Sequence, residues 1–272
     1  TKTFSQPTLM MVYGLYARLY LELGYTRTGF DTAMFEKAAY YARKVIDESG
    51  KTPLTQEQWT NPTTGFNSAS SNNAWIWGLS LSSENLNNLL TYTSHMSCEA
   101  AWGYACYAQF GASQTFYDAI PETDFRKLSW LGPNKDEWTS GKYRFAGTSA
   151  DQQAFLNGQG RPAAKPYVTL KFRPAQGECN DFNVGNAIDY CLMRVEEMYF
   201  IEMEAEYHLN PSRGVELLKK FMTDYRDKTY NRIQAGADFA TFKKELLLQK
   251  RIEFWGEGIL IYDYKRLDEG ID

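Results

Sequence analysis

Carboxylates within apolar helical stretches are the first residues of this chain that could perform chemistry. Residues 193–209 have the pattern of a helix that is apolar almost all round, and Glu202 and Glu206 lie one turn apart within its apolar arc. Glu253 lies on the apolar face of a second helical stretch. An ionised carboxylate in apolar surroundings is costly unless a cation pairs with it, so we predict inter-helix ion pairs. The expected partners are Arg194, Arg251 and Arg266, because a guanidinium can hold a carboxylate with two hydrogen bonds.

Two enzymatic arrangements are alternatives to these structural ion pairs. A helical glycosidase needs an acid and a base roughly 5–10 Å apart, and no pair of carboxylates is singled out by its spacing. Glu204 and His208 form a Glu-x-x-x-His pair on a stripe shared with Glu197, whereas di-metal helical bundles use Glu-x-x-His on facing helices. We therefore interpret that stripe as a solvent-exposed polar face, and we predict no metal site.

Common nucleophile and nucleotide signatures are missing from the sequence. It contains no G-x-S-x-G motif, no phosphate-binding loop and no G-x-G-x-x-G motif. We therefore predict no catalytic residue, no cofactor and no enzymatic activity, while an all-α glycoside hydrolase stays open as an alternative.

Aromatic residues give the positive signal for binding. They make up 15% of the 272 residues, and six of the seven tryptophans lie between residues 51 and 190. The C–H faces of sugar rings pack on aromatic faces, and one stacked ring that buries roughly 80 Å² contributes about 2 kcal/mol. Two or three such rings would give an affinity between about 1 μM and 1 mM. The candidate ligand-binding residues are the stacking rings of Tyr92, Trp102, Tyr104 and Trp138, with the amides of Asn87 and Asn88 as hydroxyl partners.

Composition and charge exclude other classes of protein. The 29 basic and 33 acidic residues give a net charge of −4, which argues against a nucleic-acid partner because such a partner requires a basic face. No run of about 18 apolar residues is present, so we predict no transmembrane helix. The four cysteines form no C-x-x-C pair, and we expect them to pack as small buried residues, with a disulfide left open.

The elements that must position these residues fall into two kinds. Helical spacing predicts helices over residues 7–24, 32–49, 193–209, 211–225, 238–255 and 259–267. The stretch from 51 to 190 is rich in Asn, Ser, Thr and Pro, with short alternating strands at 142–145 and 168–173 and strand-like positions at Trp75 and Trp77. The fold class is therefore all-α, with tetratricopeptide-like helical pairs at 1–50 and 191–272 and a large, irregular, loop-rich insertion at 51–190 that we expect to carry the ligand site.

Two C-terminal motifs resemble the SusD/RagB family of nutrient-binding outer-membrane lipoproteins of Bacteroidota. Residues 193–206 (MRVEEMYFIEMEAE) resemble the family pattern R-x-x-E-M-Y-L-I-x-A-E-A. Residues 249–258 (QKRIEFWGEG) and 263–266 (DYKR) resemble R-x-E-F-x-x-E-G-x-R-x-x-D-L-K-R, with Ile261 where the family often has arginine. The helical pair near the start of the chain also resembles the family's tetratricopeptide-like helices.

This resemblance implies a single SusD-like domain over 1–272 and a position on the extracellular face of the outer membrane. It implies a SusC-like TonB-dependent transporter as partner, and a membrane attachment made only through an N-terminal lipid anchor that this chain lacks. Family members are longer, so we expect the chain to be a fragment. We therefore predict a non-catalytic subunit that captures an oligosaccharide or polysaccharide and delivers it to the transporter, with a peptide-binding lid as a further alternative. No binding residue carries over by motif.

Overall fold

The computed structural model describes residues 6–85 and 91–270 of the chain. Its helices are α1 (Leu9–Gly24), α2 (Thr32–Glu48), α3 (Gln56–Trp59), α4 (Tyr92–Met96), α5 (Ala105–Ala108), α6 (Gln114–Asp118), α7 (Ser149–Asn157), α8 (Phe182–Gly185), α9 (Val195–Leu209), α10 (Pro211–Tyr225), α11 (Phe239–Glu253) and α12 (Leu260–Arg266). Its strands are β1 (Tyr25–Thr26), β2 (Gly29–Phe30), β3 (Trp75–Ser80) and β4 (Asp189–Arg194). Two small two-stranded sheets, β1–β2 and β3–β4, accompany the helices, which confirms the predicted all-α class.

The chain divides into two compact units. The helical unit comprises residues 6–53, 74–77 and 192–270, and the loop-rich unit comprises the described residues of 54–73 and 78–191. The long helices α1, α2, α9, α10 and α11 all belong to the helical unit. Within the described residues, no helix is both long and apolar enough to cross a membrane.

Capping residues define the helices of the helical unit where the sequence predicts them. The Asp31 side chain accepts hydrogen bonds from the first turn of α2, and Asn210 caps α10, whose first turn contains Pro211. α1 begins at Leu9 rather than at residue 7, because Thr8 accepts from the amide of Met11. α9 begins two residues later than predicted because β4 extends to Arg194. α9 packs against α1, α2, α10 and α11, so its buried faces lie at the centre of this unit.

A buried ion-pair network within the helical unit joins the end of α11 to the residues that precede α9 and follow α10. Glu253 is fully buried, and its carboxylate accepts hydrogen bonds from Arg194 at 2.7 Å and from Arg226 at 2.8 Å. Arg194 also contacts both carboxylate oxygens of Glu257 at 2.9 Å. The Glu202 carboxylate forms a bidentate salt bridge with the guanidinium group of Arg43 in α2. The predicted ion pairs are confirmed for Glu253 with Arg194 and for Glu202, although Arg43 and Arg226 were not among the expected partners.

The prediction of a solvent-exposed stripe on α9 is wrong. Glu204 is fully buried and accepts hydrogen bonds from Lys250 at 2.9 Å and from Arg266 at 2.8 Å. Burial by itself raises the pKa of Glu204, but the charges of Arg266 and Lys250 outweigh it and lower that pKa to about 2. The His208 ring stacks on Phe35 with ring centroids 4.2 Å apart, and burial lowers the pKa of His208 to about 4. Among the described residues, no group of His, Cys, Asp and Glu side chains could hold a metal ion.

The loop-rich unit is organised around buried rings and buried charges rather than strands. The strand prediction is confirmed for Trp75 and Trp77 of β3, which belong to the helical unit. It is wrong at 142–145, and at 168–173 only the isolated bridges of Val168 and Thr169 form. The alternating cations there do not face solvent, since Lys171 lies over the ring of Phe66 and Arg173 pairs with Glu99.

Three of the four cysteines are buried, as the sequence predicts, whereas Cys191 is partly exposed. The side chains of Cys98, Cys106 and Cys179 are buried, and none of the four cysteines forms a disulfide. Burial, together with the nearby carboxylate of Glu99, raises the pKa of the Cys98 thiol to about 12.

Candidate functional site

Exposed aromatic rings of the loop-rich unit concentrate in one short stretch of chain. Tyr104 is 51% exposed, Tyr107 61% and Phe110 46%, and Trp102 is partly exposed. We call residues 102–110 the aromatic segment. Tyr104 and Tyr107 are three residues apart at the single helical turn of α5, so their side chains lie on neighbouring positions of its surface.

A side-chain amide fixes the end of α5. Gln109 adopts a left-handed conformation with φ of 52°, which ends the helix after one turn. The Gln109 amide group donates to the carbonyl oxygen of Ala163 at 2.9 Å, and its oxygen accepts from the backbone amide of Lys165 at 3.1 Å. The Cys106 thiol donates to the carbonyl oxygen of Ala101 at 3.5 Å. These bonds hold α5 against the unit while leaving the rings of the aromatic segment on its surface.

Trp102 is held by two neighbours from the α8 region. Its indole Nε1 donates to Asn186 Oδ1 at 3.3 Å, and the same oxygen accepts from the Thr91 hydroxyl at 2.7 Å. Asn186 is fully buried, so its amide is a fixed anchor. The edge of the indole lies where a side chain at Gly185 would be, because a Cβ atom there would stand 2.1 Å from Cη2 of Trp102.

Tyr104 is flanked by an imidazole. The ring centroids of His95 and Tyr104 are 5.1 Å apart with an interplanar angle of 38°. His95 belongs to α4, which is capped by the Thr91 hydroxyl and lies close to the 102–104 turn, since a Cβ at Gly103 would come within 2.7 Å of the Ser94 carbonyl oxygen. His95 Nδ1 is 2.8 Å from the carbonyl oxygen of Thr91.

The remaining predicted residues lie elsewhere. Trp138 is only 3% exposed, and its Nε1 donates to the carbonyl oxygen of Gly132 at 2.8 Å within a core cluster, so its proposed stacking role is wrong. Tyr92 is half-buried, with its ring edge-on to those of Phe172 and Tyr190 at 5.3 Å. The two predicted polar partners, Asn87 and Asn88, lie outside the described residues.

Of the residues predicted from the sequence, Trp102 and Tyr104 lie together in the aromatic segment. Their neighbours in the structure were not predicted. Phe110 and His95 lie in no recognisable sequence motif, and Tyr107 is not among the predicted stacking residues. The sequence signal for Tyr107 is its spacing. Tyr104 and Tyr107 are three residues apart and each is followed by an alanine, as on one face of a short helix.

Two cavities among the described residues lie apart from this exposed segment. A cavity of about 350 Å³ in the helical unit has apolar walls that include Leu15, Leu19 and Tyr262, and its charged groups form pairs such as Arg18–Glu197. A smaller cavity of about 140 Å³ in the loop-rich unit is lined by Tyr117, Lys127 and neighbouring polar residues. Neither cavity contains a ring of the aromatic segment.

Comparison with solved structures identifies the fold. The chain is 21% identical to a SusD-like carbohydrate binding protein from Bacteroides vulgatus, with a TM-score of 0.70 over 99% of this chain and 47% of that one. This protein has the SusD-like fold. Surface glycan-binding protein A from Bacteroides thetaiotaomicron superposes on the SusD-like fold seen here with a TM-score of 0.64 at 13% identity, over 99% of this chain and 56% of that one. A further structure with this SusD-like fold was solved with xylogluco-oligosaccharide. It superposes with a TM-score of 0.66 at 16% identity, over 98% of this chain and 52% of that one.

The SusD-like fold confirms the resemblance read from the C-terminal motifs. The chain spans about half the length of these solved structures. No family model and no curated protein matches its sequence.

Proposed function

We propose that this protein is a non-catalytic, surface-exposed glycan-binding subunit that holds an oligosaccharide or polysaccharide on the aromatic segment. The observation that carries this proposal is the exposure of the Tyr104 and Tyr107 rings beside the anchored indole of Trp102. The SusD-like fold supports it, because a solved structure of this fold is named as carbohydrate binding and another contains xylogluco-oligosaccharide.

Exposed rings are expected to bind a glycan weakly and reversibly rather than tightly. Each stacked sugar ring would bury roughly 80 Å² and contribute about 2 kcal/mol before the entropy of association is subtracted. With three rings of the aromatic segment engaged, the expected dissociation constant lies between about 1 μM and 1 mM. Such weak binding would let the ligand move on to a SusC-like TonB-dependent transporter, which we propose as the partner at the extracellular face of the outer membrane.

The distribution of carboxylates supports binding without cleavage. Glycoside hydrolysis generally uses two carboxyl groups on either side of the scissile bond. Glu99 is the only acidic residue between positions 91 and 110, and its carboxylate is buried against Arg173 and accepts from the amide of Ala146 at 2.8 Å. The aromatic segment and its α4 neighbours therefore offer rings and neutral polar groups, but no acid–base pair, to a bound sugar.

Affinity electrophoresis in gels that contain xyloglucan, amylopectin, galactomannan or arabinoxylan tests the proposal. We expect at least one polymer to retard the protein, and Tyr104→Ala combined with Tyr107→Ala to weaken binding at least tenfold. Tyr40→Ala is the matched control, because Tyr40 is a 60% exposed tyrosine of α2 in the helical unit. Equal retardation of the double variant and the parent protein would contradict the assigned site. Release of reducing sugar from any polymer would contradict the non-catalytic role.

A further inference from the structure

The exposed side chain of His95 lies beside the ring of Tyr104. The chain has two histidines; the other, His208, is enclosed by aromatic rings in the helical unit. The His95 side chain is exposed, and its Nδ1 lies 2.8 Å from the carbonyl oxygen of Thr91. A carbonyl oxygen can only accept a hydrogen bond, so Nδ1 must carry the proton. In the neutral imidazole, Nε2 is then an acceptor with its lone pair available.

The position of this acceptor is fixed by the same contacts that hold the stacking rings. The Thr91 hydroxyl caps α4 by accepting from the amide of Ser94 at 3.2 Å, and it donates to Asn186 Oδ1. Asn186 Oδ1 also accepts from Trp102. One buried amide therefore fixes α4, which carries His95, and the indole at the start of the aromatic segment. A ligand would meet this arrangement already formed, which reduces the entropy cost of binding.

The imidazole flanks the Tyr104 ring without covering it. The two centroids are 5.1 Å apart, and Tyr104 keeps 51% of its surface exposed. A sugar ring stacked on Tyr104 would thus bring its edge, where the hydroxyl groups are, next to the imidazole. The C6 hydroxyl group of a hexose can donate to Nε2, whereas the carboxylate that replaces it in a uronic acid offers only acceptors.

We propose that His95 Nε2 accepts a hydrogen bond from the C6 hydroxyl group of a neutral hexose stacked on Tyr104, and that this acceptor selects neutral hexoses over uronic acids, in which a carboxylate replaces that hydroxyl. This inference rests on the proposed glycan-binding function and assigns it a specificity-determining residue. His95 sits on a one-turn helix outside any sequence motif, so its role depends on the geometry of α4 and the 102–104 turn.

His95→Phe tests the assignment, because it keeps a flat ring against Tyr104 and removes the acceptor. Binding is measured by affinity electrophoresis in the four neutral polysaccharides above and in polygalacturonate. We expect His95→Phe to weaken binding of the neutral polymer about three- to tenfold, the range for one hydrogen bond. For an O-methylated form of the same polymer, which has no hydroxyl to donate, we expect the parent protein and His95→Phe to be retarded equally.

The outcomes separate this inference from the function on which it rests. If Tyr104→Ala reduces binding and His95→Phe does not, the His95 assignment is overturned and the binding site stands. Retardation by polygalacturonate alone would also overturn the assignment. If no polymer retards the protein, or Tyr104→Ala has no effect, the proposed function fails with it. An unchanged melting temperature of His95→Phe would show that the substitution affects binding and not folding. A loss of binding by His95→Phe that is confined to the methylated polymer would contradict the assigned hydrogen bond.

Discussion

Replacing Glu253 with glutamine should destabilise the helical unit severely. The carboxylate is fully buried and accepts three hydrogen bonds, from Arg194 Nη1 at 2.7 Å and from Nε and Nη2 of Arg226 at 2.8 Å. Both guanidinium groups are themselves buried. Burial alone lowers the pKa of Arg194, but Glu196, Glu257 and Glu253 together hold it well above its ordinary value. Glutamine would leave two buried cations with one carboxylate fewer.

The magnitude follows from the cost of an uncompensated buried charge. Removing one partner of a buried ion pair typically costs about 3–5 kcal/mol. For a chain of this size, each kcal/mol lowers the melting temperature by roughly 2–4 °C, so we expect a decrease of the order of 10 °C. The hydrogen bonds themselves are not added to this figure, because the contributions of groups in one network are not additive.

Thermal and urea unfolding, followed by far-ultraviolet circular dichroism, measure the effect. The matched control is Glu216→Gln, because Glu216 forms an exposed pair with Arg213 on α10 at 3.0 Å. An exposed pair of this kind contributes less than about 1 kcal/mol, so the control should melt close to the parent protein. Equal melting temperatures for Glu253→Gln and Glu216→Gln would refute the view that the motif carboxylates stabilise helix packing.

Two further expectations concern pH and the anchored indole. Because the pKa of His208 falls to about 4 in the folded state, the unfolded chain binds an extra proton between about pH 6.5 and pH 4, and stability should be lost as the pH falls through that window. Acid titration of the melting temperature should show this loss in His95→Phe but not in His208→Phe. Gly185→Ala should displace the indole of Trp102, destabilise the fold by about 1–3 kcal/mol and weaken glycan binding; unchanged intrinsic tryptophan fluorescence would contradict the clash.

Helix boundaries could be predicted from the sequence because local chemistry determines them. Asp31, Asn210 and Asp238 cap their helices through side-chain oxygens, and such residues can be recognised without knowledge of the tertiary structure. The polar stripe of α9 could not be predicted in this way. Glu204 looks like a surface residue until Lys250 and Arg266, some fifty residues further along the chain, are placed against it.

The candidate site was only partly predictable, for a related physical reason. The composition pointed to aromatic binding, but the exposure of each ring depends on tertiary contacts. Trp138 lies in a polar stretch of sequence and Trp102 in an apolar one, yet the indole of Trp138 donates to Gly132 inside the core while the partly exposed Trp102 is bound to Asn186. Residue type indicates that a ring can stack on a sugar, and only packing decides whether it is accessible.

The rings of the aromatic segment and its neighbour His95 lie on or beside very short helices. α4 and α5 have five and four residues, too few to be stable by themselves, so side-chain hydrogen bonds must place them. Asn186 positions Trp102 and the cap of α4, while Gln109 positions the end of α5. Substitutions at these two amides should therefore move the rings and alter ligand choice, without removing any residue that touches the ligand.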